Sequence, residues 1–334
     1  MKRVGNLIPR IAEYENLQLA HYKAKKGKET KPEIWAFSKN LDANLKQLQA
    51  QIWSGQVEVG NYHYFTIYDP KERRICAAAY PERVLHHAIM NVCAPYFEAI
   101  QISDSYATRI NKGTFKAVDK AWGFQKRYAY YLKLDVRKYF DSIDHSVMLG
   151  LLERMFKDKA LLDIFSSILH SYEVLPGKGV PIGNLTSQFF ANHYLAVLDH
   201  FVKDELQVKP YIRYMDDFAV WADDKIELQG IQRKIEEFIR HRLLLDLKTN
   251  YLNTTAHGLP FLGFRLFPQK KLLSLRSKRR FKQKTAFLGE KLERGAISQE
   301  QYRLQTTALL AFATKAYVKK LKQNAFAQNL ELDQ

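Results

Sequence analysis

Tyr214-Met215-Asp216-Asp217 sets two carboxylates side by side between Tyr211-Ile212-Arg213 and Phe218-Ala219-Val220-Trp221, two runs of β-forming residues. The pattern predicts a hairpin with both acids at its tip and no glycine in its turn. Adjacent like charges repel, and a hard divalent cation with oxygen ligands is the partner that makes such a pair favourable. A third acid, Asp135, ends a stretch in which Leu132, Leu134 and Val136 fall on one face of a strand and Tyr131, Lys133 and Asp135 on the other. If that strand neighbours the hairpin, three carboxylates can hold two metal ions about 4 Å apart, which stabilises the attacking and leaving oxygens of a phosphoryl transfer. The competing reading is an ordinary polar turn beside a solvated strand end.

The surrounding elements predict how these acids meet. Asp144 reads as the N-cap of a helix through Leu151 and Phe156, a longer helix runs from near Thr186 to about Glu205, and Ile231, Ile235, Phe238 and Ile239 outline another. Strands near Leu244 to Leu247 and Phe261 to Phe267 complete a β-α-β-β-α-β order with an extra helix and a final strand. In such a sheet the first strand lies beside the central hairpin, helices cover one face, and the other stays open for a ligand. Upstream, Lys23 to Lys31 reads as a linker, and Leu41, Leu45, Leu48 and Ile52 as a short amphipathic helix. Gly60 to Ile75 reads as two strands around a turn at Asp69-Pro70. A long helix follows, with Val84, Leu85, Ala88, Ile89 and Val92 on its buried side. His86 and His87, adjacent on that helix, diverge by about 100° and read as structural rather than chelating.

The 334 residues are 46% hydrophobic, enough for a core, and carry 52 Lys and Arg against 35 Asp and Glu, a formal charge of +17. The partner that balance predicts is a polyanion. From Pro268 to Gln334 there are 15 basic and 5 acidic residues. There Tyr302, Leu309, Phe312, Ala316 and Leu321 recur near helical period beside a Lys315, Lys319, Lys322 stripe, and Arg276, Arg280 and Lys284 repeat at i+4. The total charge favours nucleic acid over a merely solvated helix face. Two cysteines, Cys76 and Cys93, make neither a disulfide framework nor a zinc site, which fits a reducing, cytoplasmic setting. No apolar signal core and no run of about 18 apolar residues is present, so no membrane association is expected.

KLDVRKYFDSIDH from Lys133, YMDD, and GLPFLGFRL from Gly258 are similar, in order, to the first and second catalytic motifs and the primer-gripping hairpin of reverse transcriptases. The match extends from roughly Gly60 to Leu266. PIGNLTSQ departs from the common pattern, with Ile182 in place of Gln and Ser187-Gln188 in place of Ser-Pro. With PERVLHHAIMNV and DSYATRINKGTF, that variant resembles the reverse transcriptases of diversity-generating retroelements.

The resemblance implies an α+β, right-hand polymerase fold: an N-terminal extension (1–59), fingers (60–129), a ferredoxin-like palm (130–267, with finger contributions around 157–182) and a short, basic, helical thumb (268–334). It implies an RNA-directed DNA polymerase that makes cDNA from a template RNA and dNTPs, error-prone at template adenines. Two Mg²⁺ ions would be held by Asp135, the Val136 carbonyl, Asp216 and Asp217. Phe140 would be the steric gate against a 2′-hydroxyl; otherwise it is a core aromatic at a strand-to-helix junction. Lys71, Arg73 and Arg74 would grip the triphosphate, and Ile182, Gly183 and Gln188 would lie near the incoming nucleotide. Gly183 either starts a helix or lets the backbone approach that nucleotide. Lys248 would protonate the leaving pyrophosphate, and Arg109 and Lys112 would touch template phosphates. Leu262, Gly263, Arg276, Arg280, Lys284, Lys315, Lys319 and Lys322 would follow the template–primer duplex. A small, basic, oligomeric accessory variability protein is the further partner implied. The alternatives are a retron or group II intron type of reverse transcriptase, and a non-catalytic RNA-binding protein on a polymerase scaffold.

Overall fold

The computed structural model describes residues 2–68, 72–248 and 250–316. Alternating β-formers give three antiparallel sheets. β1 (Tyr62–Ile67) and β2 (Arg73–Ala78) form the predicted basic hairpin. β3 (Tyr130–Asp135), β4 (Tyr211–Tyr214), β5 (Asp217–Ala222) and β6 (Tyr251–Thr254) form a sheet ordered β4-β5-β3-β6. β7 (Leu259–Phe261), β8 (Phe264–Leu266) and β9 (Lys271–Leu273) form a third. In the central sheet the first strand lies between the hairpin and the last strand, the order a β-α-β-β-α-β unit requires.

Two predicted strands are corrected. Leu244 to Leu247 is not a strand: Leu244 takes a left-handed φ of 50°, Leu245 drops into the core, and only Leu247 bridges to Val136. The edge strand is β6, which pairs with Tyr130 to Lys133. Phe261 to Phe267 is broken at Leu262 (φ 46°) and Gly263 (φ 85°) into β7 and β8, the positive φ pair of a tight hairpin.

Helices His145–Met155, Leu185–His200 and Lys225–Arg242 accompany the sheet. Leu132, Leu134, Val136, Phe218 and Val220 share one continuous core with them. Asp144 caps the first of these helices, accepting from the N–H groups of Ser146 and Val147. A helix at Lys159–His170 was not anticipated, although Leu161, Ile164, Phe165, Ile168 and Leu169 carry its buried period. The opposite face of the sheet is not open along its length as expected. Tyr131, Ile212, Ala219 and Trp221 are covered by Val118, Ala121 and Phe124 of the helix Thr114–Gln125 and by Phe261, Phe264 and Leu266. The end carrying Lys133, Asp135, Tyr214 and Asp217 remains accessible.

The segment 23–31 is less of a linker than expected, since the helix Tyr14–Lys25 takes its first three residues. Helices Tyr14–Lys25, Pro32–Lys39 and Leu41–Ser54 bury Leu17, Ile34, Leu45 and Ile52 in the same core as the sheet. At the other end, helices Leu275–Glu293 and Gln299–Ala313 are N-capped by Ser274 and Ser298, the latter in a capping box with Gln301. The helix Gln299–Ala313 stops at Ala313, so Lys315 lies in the turn after it; Lys319, Leu321 and Lys322, like Asp69, Pro70 and Lys71, lie outside the described residues. Among the described residues no helix is long and apolar enough to cross a membrane.

Candidate active site

The antiparallel register sets Asp135 directly opposite Asp217. Met215 and Asp216 form the turn between Tyr214 and Asp217, with Met215 at φ 56°. A left-handed methionine is uncommon, and it is held from below. Arg213, fully buried, donates to the Met215 carbonyl (3.1 Å) and pairs with Asp199 (2.6 and 2.8 Å). In the sequence Arg213 is one residue of a β-forming run, and a charge inside that run three residues before Asp216 is the signal that marks it. The Val136 N–H reaches the Asp216 carbonyl (3.4 Å), which ties the turn to the end of β3.

Two lysines meet the acids. Lys248 Nζ lies 2.5 Å from Asp135 Oδ1, and its N–H donates to the Asp135 carbonyl (2.8 Å), so the irregular segment after Leu245 delivers it as a strand would have done. Lys133, which sequence reasoning placed on this face without a role, lies 3.1 Å from Asp217 Oδ2 and donates to the Pro260 carbonyl (2.8 Å). Burial, and then the neighbouring Asp135, raise the Asp216 carboxyl above the usual carboxylate range. Burial lifts Asp217 to about 6, with Lys133 opposing and Asp135 and Asp216 adding to the rise.

Among the described residues no group of three or more His, Cys, Asp or Glu is arranged to hold an ion. Each lysine instead neutralises one acid. The donor set nevertheless fits a hard cation, because Asp217 Oδ1 is buried with no hydrogen-bond partner and two raised carboxyls share one negative field.

Asp135 and Asp217 open into a cleft of about 850 Å³. Its walls include Arg73 from the β1-β2 hairpin, Leu262 and Gly263 from the β7-β8 turn, and Arg276, Arg280 and Lys284 from the helix Leu275–Glu293. Acids at one place and cations on the walls suit a phosphate-rich ligand. Arg73 also acts on Asp216 through its charge. Arg74, its neighbour on the strand, stacks over Tyr64 (4.2 Å) of the same hairpin.

Other expected residues lie elsewhere. The Arg109 guanidinium, 8% exposed, is committed to Glu98 and to the carbonyls of Ile102 and Ser105. Lys112 folds onto the Ser103 carbonyl and the Tyr106 ring. Both hold their own loop. Lys315 stands over Phe115 (5.6 Å) and is not among the residues lining the cleft. Gly183 (φ 126°) does permit a close approach, but to a strand: a Cβ there would sit 2.9 Å from Ile75, while the Ile182 carbonyl accepts from the Cys76 N–H (2.8 Å). Gln188 is half-buried beside Thr108. Phe140, on the short helix Tyr139–Ser142, is partly buried edge-on to Tyr139 (5.9 Å), and Tyr139 fills the core position.

Two curated proteins are similar to parts of the chain. It is 21% identical over 155 residues to the putative COX1/OXI3 intron 2 protein of Saccharomyces cerevisiae, covering 44% of this chain and 17% of that protein. It is 28% identical over 102 residues to nuclear intron maturase 1, mitochondrial, of Arabidopsis thaliana, covering 30% of this chain and 14% of that one. The chain thus spans less than a fifth of the length of either relative. Among solved structures, telomerase from Candida albicans in complex with a fragment of telomeric RNA overlays 69% of this chain and 50% of its own at 14% identity and a TM-score of 0.46. Apo telomerase from Candida tropicalis overlays 63% and 48% at 12% identity and a TM-score of 0.48. The sequence profile of the reverse transcriptase (RNA-dependent DNA polymerase) family matches residues 70–266, well over half the chain, and the chain belongs to that family.

Proposed function

We propose that the chain copies a template RNA into cDNA from dNTPs at Asp135, Asp216 and Asp217. The observation that carries the reading is the pairing of Asp135 with Asp217 at an open end of the sheet, inside a cleft walled by Arg73, Arg276, Arg280 and Lys284. Family members generally use divalent metals, and two Mg²⁺ ions would be held here by the three carboxylates and the Val136 carbonyl. Such ions, when bound, lower the pKa of a primer 3′-hydroxyl and neutralise the triphosphate. Lys248 and Lys133 hold Asp135 and Asp217 until substrate arrives. Released from Asp135, the Lys248 ammonium is placed to give a proton to the leaving pyrophosphate. Arg73 grips the triphosphate from the β1-β2 hairpin, and Phe140 keeps an uncovered side with which to reject a 2′-hydroxyl. The hairpin with its neighbouring helices serves as fingers, the four-stranded unit as palm and the helices Leu275–Glu293 and Gln299–Ala313 as thumb. Primer extension on RNA with deoxynucleotides, compared with ribonucleotides and with chelator, tests this; extension that persists without divalent cation would refute the metal role.

Within the family, Ile182 and Ser187-Gln188 support a diversity-generating retroelement enzyme, which works with a small basic accessory protein and copies template adenine carelessly. An apolar Ile offers shape without a donor or acceptor, and one apolar contact discriminates by only about 1–3 kcal/mol. The intron-protein relatives favour a group II intron type as the second reading. Sequencing cDNA from a defined RNA separates the two: the first predicts misincorporation concentrated opposite adenine, and a spectrum flat over the four template bases would contradict it.

A further inference from the structure

Outside the cleft, the helix Thr114–Gln125 and the β8-β9 turn build a second basic surface. Trp122 donates its indole N–H to the Phe267 carbonyl (2.9 Å), tying the helix end to the turn. Lys126 and Lys271 stand 4.1 and 4.7 Å from the Trp122 ring centre, and Arg265 and Lys270 stand 5.6 and 5.8 Å from that of Phe267. Lys315 is held over Phe115. Lys270, Lys271, Lys315, Trp122 and Asp119 border a recess of about 420 Å³ that shares no residue with the cleft lining. Asp119 pairs with Lys271. Rings beneath lysines restrict the ammonium groups before any ligand arrives, so less side-chain freedom is lost on binding.

We infer that this face binds the phosphodiester backbone of an RNA segment lying beyond the template–primer duplex. The inference rests on the reading that the chain handles RNA, and it moves Lys315 from the duplex path to this outer surface. Phosphate is the chemistry that an array of ring-held cations around one acid recognises, and the contacts it makes carry no sequence preference.

The test is the full chain carrying Lys126→Gln and Lys270→Gln, both exposed positions away from the acids. Two probes are titrated across salt: a short template–primer duplex, and a long structured RNA that contains the same template. The expected result is a log K versus log salt slope shallower by up to roughly 1.5 for the long RNA only, with extension of the short duplex unchanged. An unchanged slope with both probes, or an equal loss with both, would overturn the inference. So would poly-glutamate binding to the unaltered protein that is lost in the variant while the long-RNA slope stays unchanged, which would assign the face to an acidic protein. Failure of the unaltered protein to extend the short duplex would instead count against the polymerase reading, and the long-RNA slope would still decide the surface.

Discussion

Asp217→Asn should stabilise the metal-free protein at neutral pH while abolishing any polymerase activity. The folded carboxyl titrates near 6 instead of 3.8, so between these values the folded state holds a proton that the unfolded state has released. Stability therefore falls as pH rises through that window and stays low above it. Fully ionised at about pH 7.5, Asp217 costs the folded state about 3 kcal/mol, already net of Lys133; at about pH 4.5 the cost shrinks to about 1 kcal/mol. Asparagine keeps the shape and removes the charge, and Lys133 retains the Pro260 carbonyl. Urea unfolding with chelator at both pH values should show those two gains. A variant no more stable than the parent, or one stabilised equally at both pH values, would refute the idea that the acids are held in an unfavourable field awaiting a cation.

Arg213→Met should cost about 3–5 kcal/mol in urea unfolding by stranding the buried Asp199, and adding Asp199→Leu should recover most of it; no recovery would mean the loss came from packing. Phe140→Ala should raise ribonucleotide relative to deoxynucleotide incorporation several-fold, and an unchanged ratio would return Phe140 to the core.

What was legible in the sequence followed from short-range pattern. The alternation of Tyr130 to Val136 put Leu132, Leu134 and Val136 inside and Asp135 at the exposed end, and two β-forming runs around Met215-Asp216 made a hairpin whose register faces Asp217 to Asp135. What was missed depends on partners distant along the chain. Leu244 to Leu247 has a strand's composition, yet Leu245 is taken by the core and the ladder passes to Tyr251–Thr254, a stretch with little periodicity. The Arg109 ion pair was not legible because nothing local announces Glu98 as its partner. Lys133 was visible on the acidic face, but its role needed Pro260, which is 127 residues away. The Lys159–His170 helix could have been found from its apolar period alone.

On the proposed function, phosphoryl transfer depends on the acids at the open end of the sheet while nucleic acid is held by cations elsewhere on the cleft wall. The most direct measurement pairs two assays on purified Asp216→Asn: extension of a DNA primer on an RNA template with Mg²⁺, and binding of the same duplex. The account predicts extension lost to background with binding nearly unchanged. Extension retained at a measurable fraction of the parent rate would contradict it.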